Sequence, residues 1–188
     1  MDKKKIYFSR EEMFILNRDR LLERGVKIED IAKIAYRQQG KYNPNISMAD
    51  CIESVEKILS YRDIFHIVQL GIEIDRLTEE GLFRSPIQDI MRADLGMFGI
   101  DEIFGLSVAQ MYGTIGQTNF GDIDVNKPGI VKELNDSGKG DQCHTFLDDV
   151  VGALAAAAST RVAQITSEEE ARKDPSFTPI QLDLEDAE

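Results

Sequence analysis

The feature that most constrains this chain is a succession of apolar residues at helical spacing, repeatedly opened by a capping signal and closed by glycine. Ser9-Arg10-Glu11-Glu12 reads as a capping box and predicts a helix to about Arg24, stopped by Gly25. A second helix is predicted from about Ile28 to Gln39, ended by Gly40 and the Asn43-Pro44-Asn45 turn. Ser47-Met48-Ala49-Asp50 repeats the capping pattern. Behind it, Cys51, Ile52, Val55, Ile58 and Leu59 share one helical face. The next helix enters at Ser60–Asp63 and ends at Gly81. It carries Ile64, Phe65, Ile67, Val68, Leu70, Ile72, Ile74 and Leu77, apolar on most sides, so it is expected to be well buried. No period-two pattern competes, although Met111 to Phe120 is ambiguous.

Beyond Gly81 the texture changes, with ten of the fourteen glycines falling between Gly96 and Gly152. A helix is predicted from about Asp101 to Gly113, then a loop, then a short helix opened by Lys127-Pro128. Ser137-Gly138-Lys139-Gly140-Asp141 reads as a flexible loop. The last helix runs from near Thr145 to about Ile165, and its Gly152–Ala158 stretch suits close helix neighbours. The expectation is an all-α compact bundle of six or seven helices, with this Ala-rich C-terminal helix at its centre. Residues 1–166 form the helical domain, with the site region at 96–152. Residues 167–188, acidic with Pro175 and Pro179, read as a flexible tail.

Charge narrows the function. Against 22 Lys+Arg stand 34 Asp+Glu, a net of −12, which opposes non-specific nucleic-acid binding. An acidic protein that handles a phosphorylated substrate needs a cation between them. Cys51 and Cys143 lie far apart and form no CxxC pair, so a reducing, cytoplasmic setting is expected. No window approaches the ~20 apolar residues of a membrane span.

Two acidic pairs stand in apolar sequence without a basic neighbour: Asp101-Glu102 within Gly99–Leu106, and Asp148-Asp149 within Phe146–Gly152. Adjacent helical residues point about 100° apart, so at least one acid of each pair meets the interior or a cleft. A buried carboxylate is costly unless paired or metal-bound, and a divalent cation is the economical partner. The alternative is capping: Thr145-x-x-Asp148 matches a capping box, and Asp101 can cap its own helix. Asp122 and Asp124 form a third acidic spot, and Asp124 precedes Lys127. A lysine at a helix N-terminus makes an anion site, with an ordinary loop-to-helix entry as the alternative. Lys139, between two glycines, is a candidate phosphate contact or a surface lysine. His144 is a candidate general acid or base.

In order, Asp101-Glu102-Ile103-Phe104-Gly105, Phe120-Gly121-Asp122-Ile123-Asp124-Val125-Asn126-Lys127-Pro128 and Leu147-Asp148-Asp149-Val150-Val151-Gly152 resemble the phosphatidylglycerophosphatase A family, in its soluble YutG-like branch. Gly121 stands where that family usually has arginine. The resemblance implies a compact helical bundle and a Mg²⁺-dependent phosphatase converting phosphatidylglycerophosphate to phosphatidylglycerol. By position it implies Asp101, Glu102, Asp124, Asp148 and Asp149 as metal ligands, and Lys127 at the phosphate. Asp149, Lys127 and His144 are the catalytic candidates, and Lys127 and Lys139 the phosphate-binding ones. The partners implied are a phospholipid or another phosphomonoester, met peripherally at the inner face of the membrane. Lys3-Lys4-Lys5-Ile6-Tyr7-Phe8 offers a weak interfacial anchor. The alternative reading is a non-catalytic helical protein whose apolar faces form a homo-oligomer.

Overall fold

The computed structural model describes residues 7–93, 99–137 and 142–176, and every regular element among them is an α-helix. In chain order these are α1 Arg10–Glu23, α2 Ile28–Gln39, α3 Met48–Leu59, α4 Arg62–Glu79, α5 Ile87–Arg92, α6 Ile100–Gln110, α7 Gly113–Asn126, α8 Ile130–Ser137 and α9 Leu147–Lys173. The first three follow their sequence signals closely. Ser9 and Ser47 each close a full capping box, with the Glu12 and Asp50 carboxylates returning to the capping backbone. Gly25, at φ 80°, takes the left-handed turn that ends α1.

Three elements depart from expectation. α4 buries one stripe only, formed by Ile64, Val68, Ile72, Asp75 and Thr78, and Leu70 on another face is exposed. It packs against α1 and α9, and to a lesser extent α3, α5 and α6, and its remaining surface is half-buried or exposed. α7 fills the stretch expected as a loop. Its composition is weak for a helix, but Gly116, Phe120 and Ile123 recur at helical spacing and lie buried, so tertiary packing overrides propensity. α9 continues to Lys173, past the expected end near Ile165, because a helix nucleated in the core adds further turns cheaply.

The core is organised around α9. Every residue from Leu147 to Thr160 is buried, and α2, α3, α4, α6, α7 and α8 all pack on it. The small residues expected to admit close neighbours do so. A Cβ at Gly152 would meet Ile123 Cγ2 at 3.2 Å, and one at Gly105 would meet the Asp149 carbonyl oxygen at 2.8 Å. Gly105 thus sets how closely α6 crosses α9, at the level of the acids each carries.

This contact predicts opposite signs for two Gly→Ala changes. Gly105→Ala forces backbone apart and is expected to destabilise by about 1–3 kcal/mol. Gly121→Ala, on α7 with nothing within 4 Å of a new Cβ, is expected to stabilise by up to about 1 kcal/mol. Urea unfolding of both variants checks this; a Gly105→Ala protein as stable as wild type would remove the close-approach argument.

Candidate functional site

Three helix ends deliver the acidic residues to one place. Gly99, at φ 89°, turns the chain into α6, whose first turn carries Asp101 and Glu102. The first turn of α9 carries Asp148 and Asp149. The last turn of α7 carries Asp124, and Lys127 follows as its C-cap. All six side chains line a cavity of about 340 Å³, together with Cys143 and His144. Asp122 does not join them: it is exposed and accepts from Asn126 Nδ2 at 2.9 Å. Lys139 lies outside the described residues.

Lys127 is not at a helix N-terminus, as the Lys-Pro pattern suggested. It caps the C-terminus of α7 at φ 40°, and its N–H donates to Ile123 O at 2.7 Å. α8 begins only at Ile130. No free backbone donor of Lys127 is therefore available to an anion. Its ammonium points instead at three carboxylates: Asp124 at 2.8 Å, Asp148 at 3.0 Å and Asp149 at 3.4 Å. An ammonium has three N–H donors, so these partners take them all. Burial opposes the charge on Lys127, but Asp148, then Asp124 and Asp149, outweigh it and hold its pKa above the ordinary value.

A second group of oxygens lies beside the first. Asp101, Glu102 and Asp149 each place one carboxylate oxygen so that the three lie within 4.8 Å of one another. Asp101 Oδ1 and Glu102 Oε2 are buried with no hydrogen-bond partner. Burial, and then the neighbouring Glu102, push Asp101 up to about 7. Burial, and then Asp148, push Asp149 up to about 8, against the pull of Lys127. Orphaned, crowded carboxylate oxygens are what an oxygen-seeking divalent cation takes up. Asp124 and Asp148, also expected among the metal ligands, contact Lys127 and stand outside this group of three.

Phe146, the residue at the N-cap of α9, makes no side-chain cap. Asp75, fully buried on α4, accepts from Phe146 N at 3.1 Å and Leu147 N at 2.9 Å. One turn further along α4, Glu79 accepts from Cys143 N at 2.8 Å and pairs with Arg24 at 2.6 Å. These residues were missed in the sequence. The available signal was Asp75 falling in the apolar stripe Ile64-Val68-Ile72. Arg24 also donates to Cys143 O at 2.7 Å and reaches His144 Nδ1 at 3.2 Å. With Nδ1 accepting, the ring proton sits on Nε2. Burial, and then Arg24, push His144 down to about 4, so at neutral pH it is an uncharged N–H donor rather than a cationic acid.

Residues 45–164 match the phosphatidylglycerophosphatase A family. The chain belongs to that family. It is similar to two proteins of Bacillus subtilis (strain 168): the uncharacterized protein YpjQ, 49% identical over 83% of this chain and 87% of that one, and the uncharacterized protein YutG, 44% identical over 78% and 87%. Among solved structures, Bacillus subtilis YpjQ superposes with a TM-score of 0.80 at 47% identity, covering 86% of this chain and 99% of that one. The low temperature requirement C protein of Listeria monocytogenes gives 0.78 at 44%, covering 82% and 97%. Membership in the phosphatidylglycerophosphatase A family supports a phosphatase-related function. Among the described residues no helix is long and apolar enough to cross a membrane.

The raised carboxylates set a pH dependence. Asp75 (about 7), Asp101 and Asp149 hold protons in the folded protein that they release, when unfolded, near the ordinary carboxylate value. Metal-free stability is therefore expected to fall as pH rises to about 8. His144 is largely neutral in both states only above about pH 7.5, so the clean window is about pH 7.5–8.5. Thermal unfolding in chelator is expected to show a falling Tm across it and a shallower fall in Asp149→Asn. A flat or rising wild-type profile contradicts the burial of these groups.

Proposed function

We propose that this chain is a Mg²⁺-dependent phosphomonoester hydrolase that converts phosphatidylglycerophosphate to phosphatidylglycerol and inorganic phosphate. The observation that carries the reading is the convergence of Asp101, Glu102, Asp124, Asp148 and Asp149 with Lys127 on one cavity. In a non-catalytic helical protein whose acids were caps, these residues would have no reason to meet. Their meeting in a partly open cavity supports an enzyme.

Asp101, Glu102 and Asp149 would hold the cation, since their crowded oxygens, two of them orphaned, suit a hard ion. When bound, the cation supplies Lewis-acid polarisation of the phosphoryl oxygens. The residues themselves account for the rest. A phosphate dianion cannot enter a cavity of five carboxylates unaided, and among the described residues Lys127 offers the positive charge closest to the acids. Its contact to Asp149, at 3.4 Å, is the longest of the three and the one a phosphoryl oxygen can replace. Lys127 thereby neutralises charge that develops on phosphorus oxygens. His144 contributes a neutral Nε2–H at the cavity wall. Arg24, Glu79 and Asp75 hold the segment that carries it and the α9 acids.

A lipid phosphate is favoured over a soluble one by the exposed aliphatic side chains of α6. Ile100 and Ile103, 57% and 66% exposed, flank Asp101 and Glu102 on α6. Exposed aliphatic side chains on the helix that carries two of the cavity acids suit a phosphate attached to an apolar body. On this reading the protein meets its substrate peripherally, at the inner face of the membrane.

The test is phosphate release from short-chain phosphatidylglycerophosphate, beside soluble phosphomonoesters, with Mg²⁺ and with excess chelator. The expected outcome is Mg²⁺-dependent release preferring the lipid. Lys127→Ala is expected to lower kcat on the order of 10²-fold, and Asp149→Ala to abolish turnover. Full metal-dependent activity in Asp149→Ala would sink the assignment. Release from soluble esters alone would move the substrate class but keep the chemistry.

A further inference from the structure

We infer that the centre takes one divalent cation per chain, because the Lys127 ammonium occupies the position a second cation would need. This inference rests on the cation-dependent reading above and goes beyond it in fixing the count and the role of Lys127.

The five carboxylates divide into two groups that share Asp149. Asp101, Glu102 and Asp149 make the first, with one oxygen each inside 4.8 Å. It contains the buried oxygens that no protein donor reaches, Asp101 Oδ1 and Glu102 Oε2. Asp101 is only 7% exposed, so water does not relieve that cost. Asp124, Asp148 and Asp149 make the second, and each meets Lys127 Nζ within 3.4 Å. The second group already has its cation. A metal ion bound there would use the oxygens the ammonium holds, and would face another positive charge at contact distance.

Lys127 cannot easily leave. Its backbone is fixed as the α7 C-cap by the N–H donated to Ile123 O, and its side chain is 25% exposed. Lys127→Met therefore does more than remove a charge. It takes the ammonium away from Asp124, Asp148 and the shared Asp149. In the wild type the ammonium would stand where a second cation would otherwise sit, with Asp149 common to both groups of carboxylates.

The experiment is Mn²⁺ binding to the full-length chain, followed calorimetrically and by the Mn²⁺ paramagnetic signal, for wild type, Lys127→Arg, Lys127→Met and Lys127→Gln, with folding of each checked by circular dichroism. The expected counts are one ion per chain in wild type and Lys127→Arg, and two in whichever uncharged variant folds. Two ions in wild type overturn the inference without reference to any variant. A single ion in a folded uncharged variant overturns it as well, since the ammonium then holds no second position. No binding to wild type has a different meaning: it removes the cation-dependent reading itself and the count with it.

Discussion

The rest of the structure depends on the burial of α9 on every side. A helix enclosed from Leu147 to Thr160 leaves its first-turn acids little contact with water beyond the cavity they line, so Asp148 and Asp149 must be compensated by groups brought from elsewhere. Lys127 arrives from the end of α7. Asp75 arrives from α4 and satisfies the two leading N–H groups that the helix itself cannot. The glycine at 105 lets α6 close on α9 at Asp149. Each of these is a response to one constraint, and together they form the walls of the cavity.

The site is electrostatically unequal. Lys127 settles the carboxylates on one side of Asp149. On the other side Asp101 and Glu102 crowd one another without a basic contact, and burial raises the cost of ionising Asp101 and Asp149. The protein tolerates that cost because close α6–α9 packing offsets it and because a bound cation would remove it. Crowded, hard to ionise and short of hydrogen-bond partners, Asp101, Glu102 and Asp149 suit the divalent ion proposed above, which would also let an acidic chain approach a phosphate dianion.

The Arg24–Glu79 pair and Asp75 give the site its support. They hold residues 143–147, the stretch that leads into α9, from behind the cavity. The same contacts decide the state of His144, whose Nδ1 faces Arg24. A histidine that sequence alone would read as an acid–base candidate becomes a neutral donor because packing buries it and because Arg24, 120 positions away, faces its Nδ1.

By itself the sequence determined most of the helices, because capping and apolar periodicity are local: Ser9 and Ser47 close boxes with residues three positions on, and the stripes of α2 and α3 need no partner to be read. It also determined the family, since the motifs around Asp101, Lys127 and Asp148 lie in order along the chain. Only the tertiary structure decided what those residues do to each other. Lys127 meets Asp148 and Asp149 across 21 and 22 residues, and α9 takes its cap from Asp75 across 71 and 72. α7 is helical because α9 gives Phe120 and Ile123 somewhere to pack, not because its residues favour a helix. Ion pairing, burial and pKa depend on distance in space, and chain order carries no such distance until the helices pack.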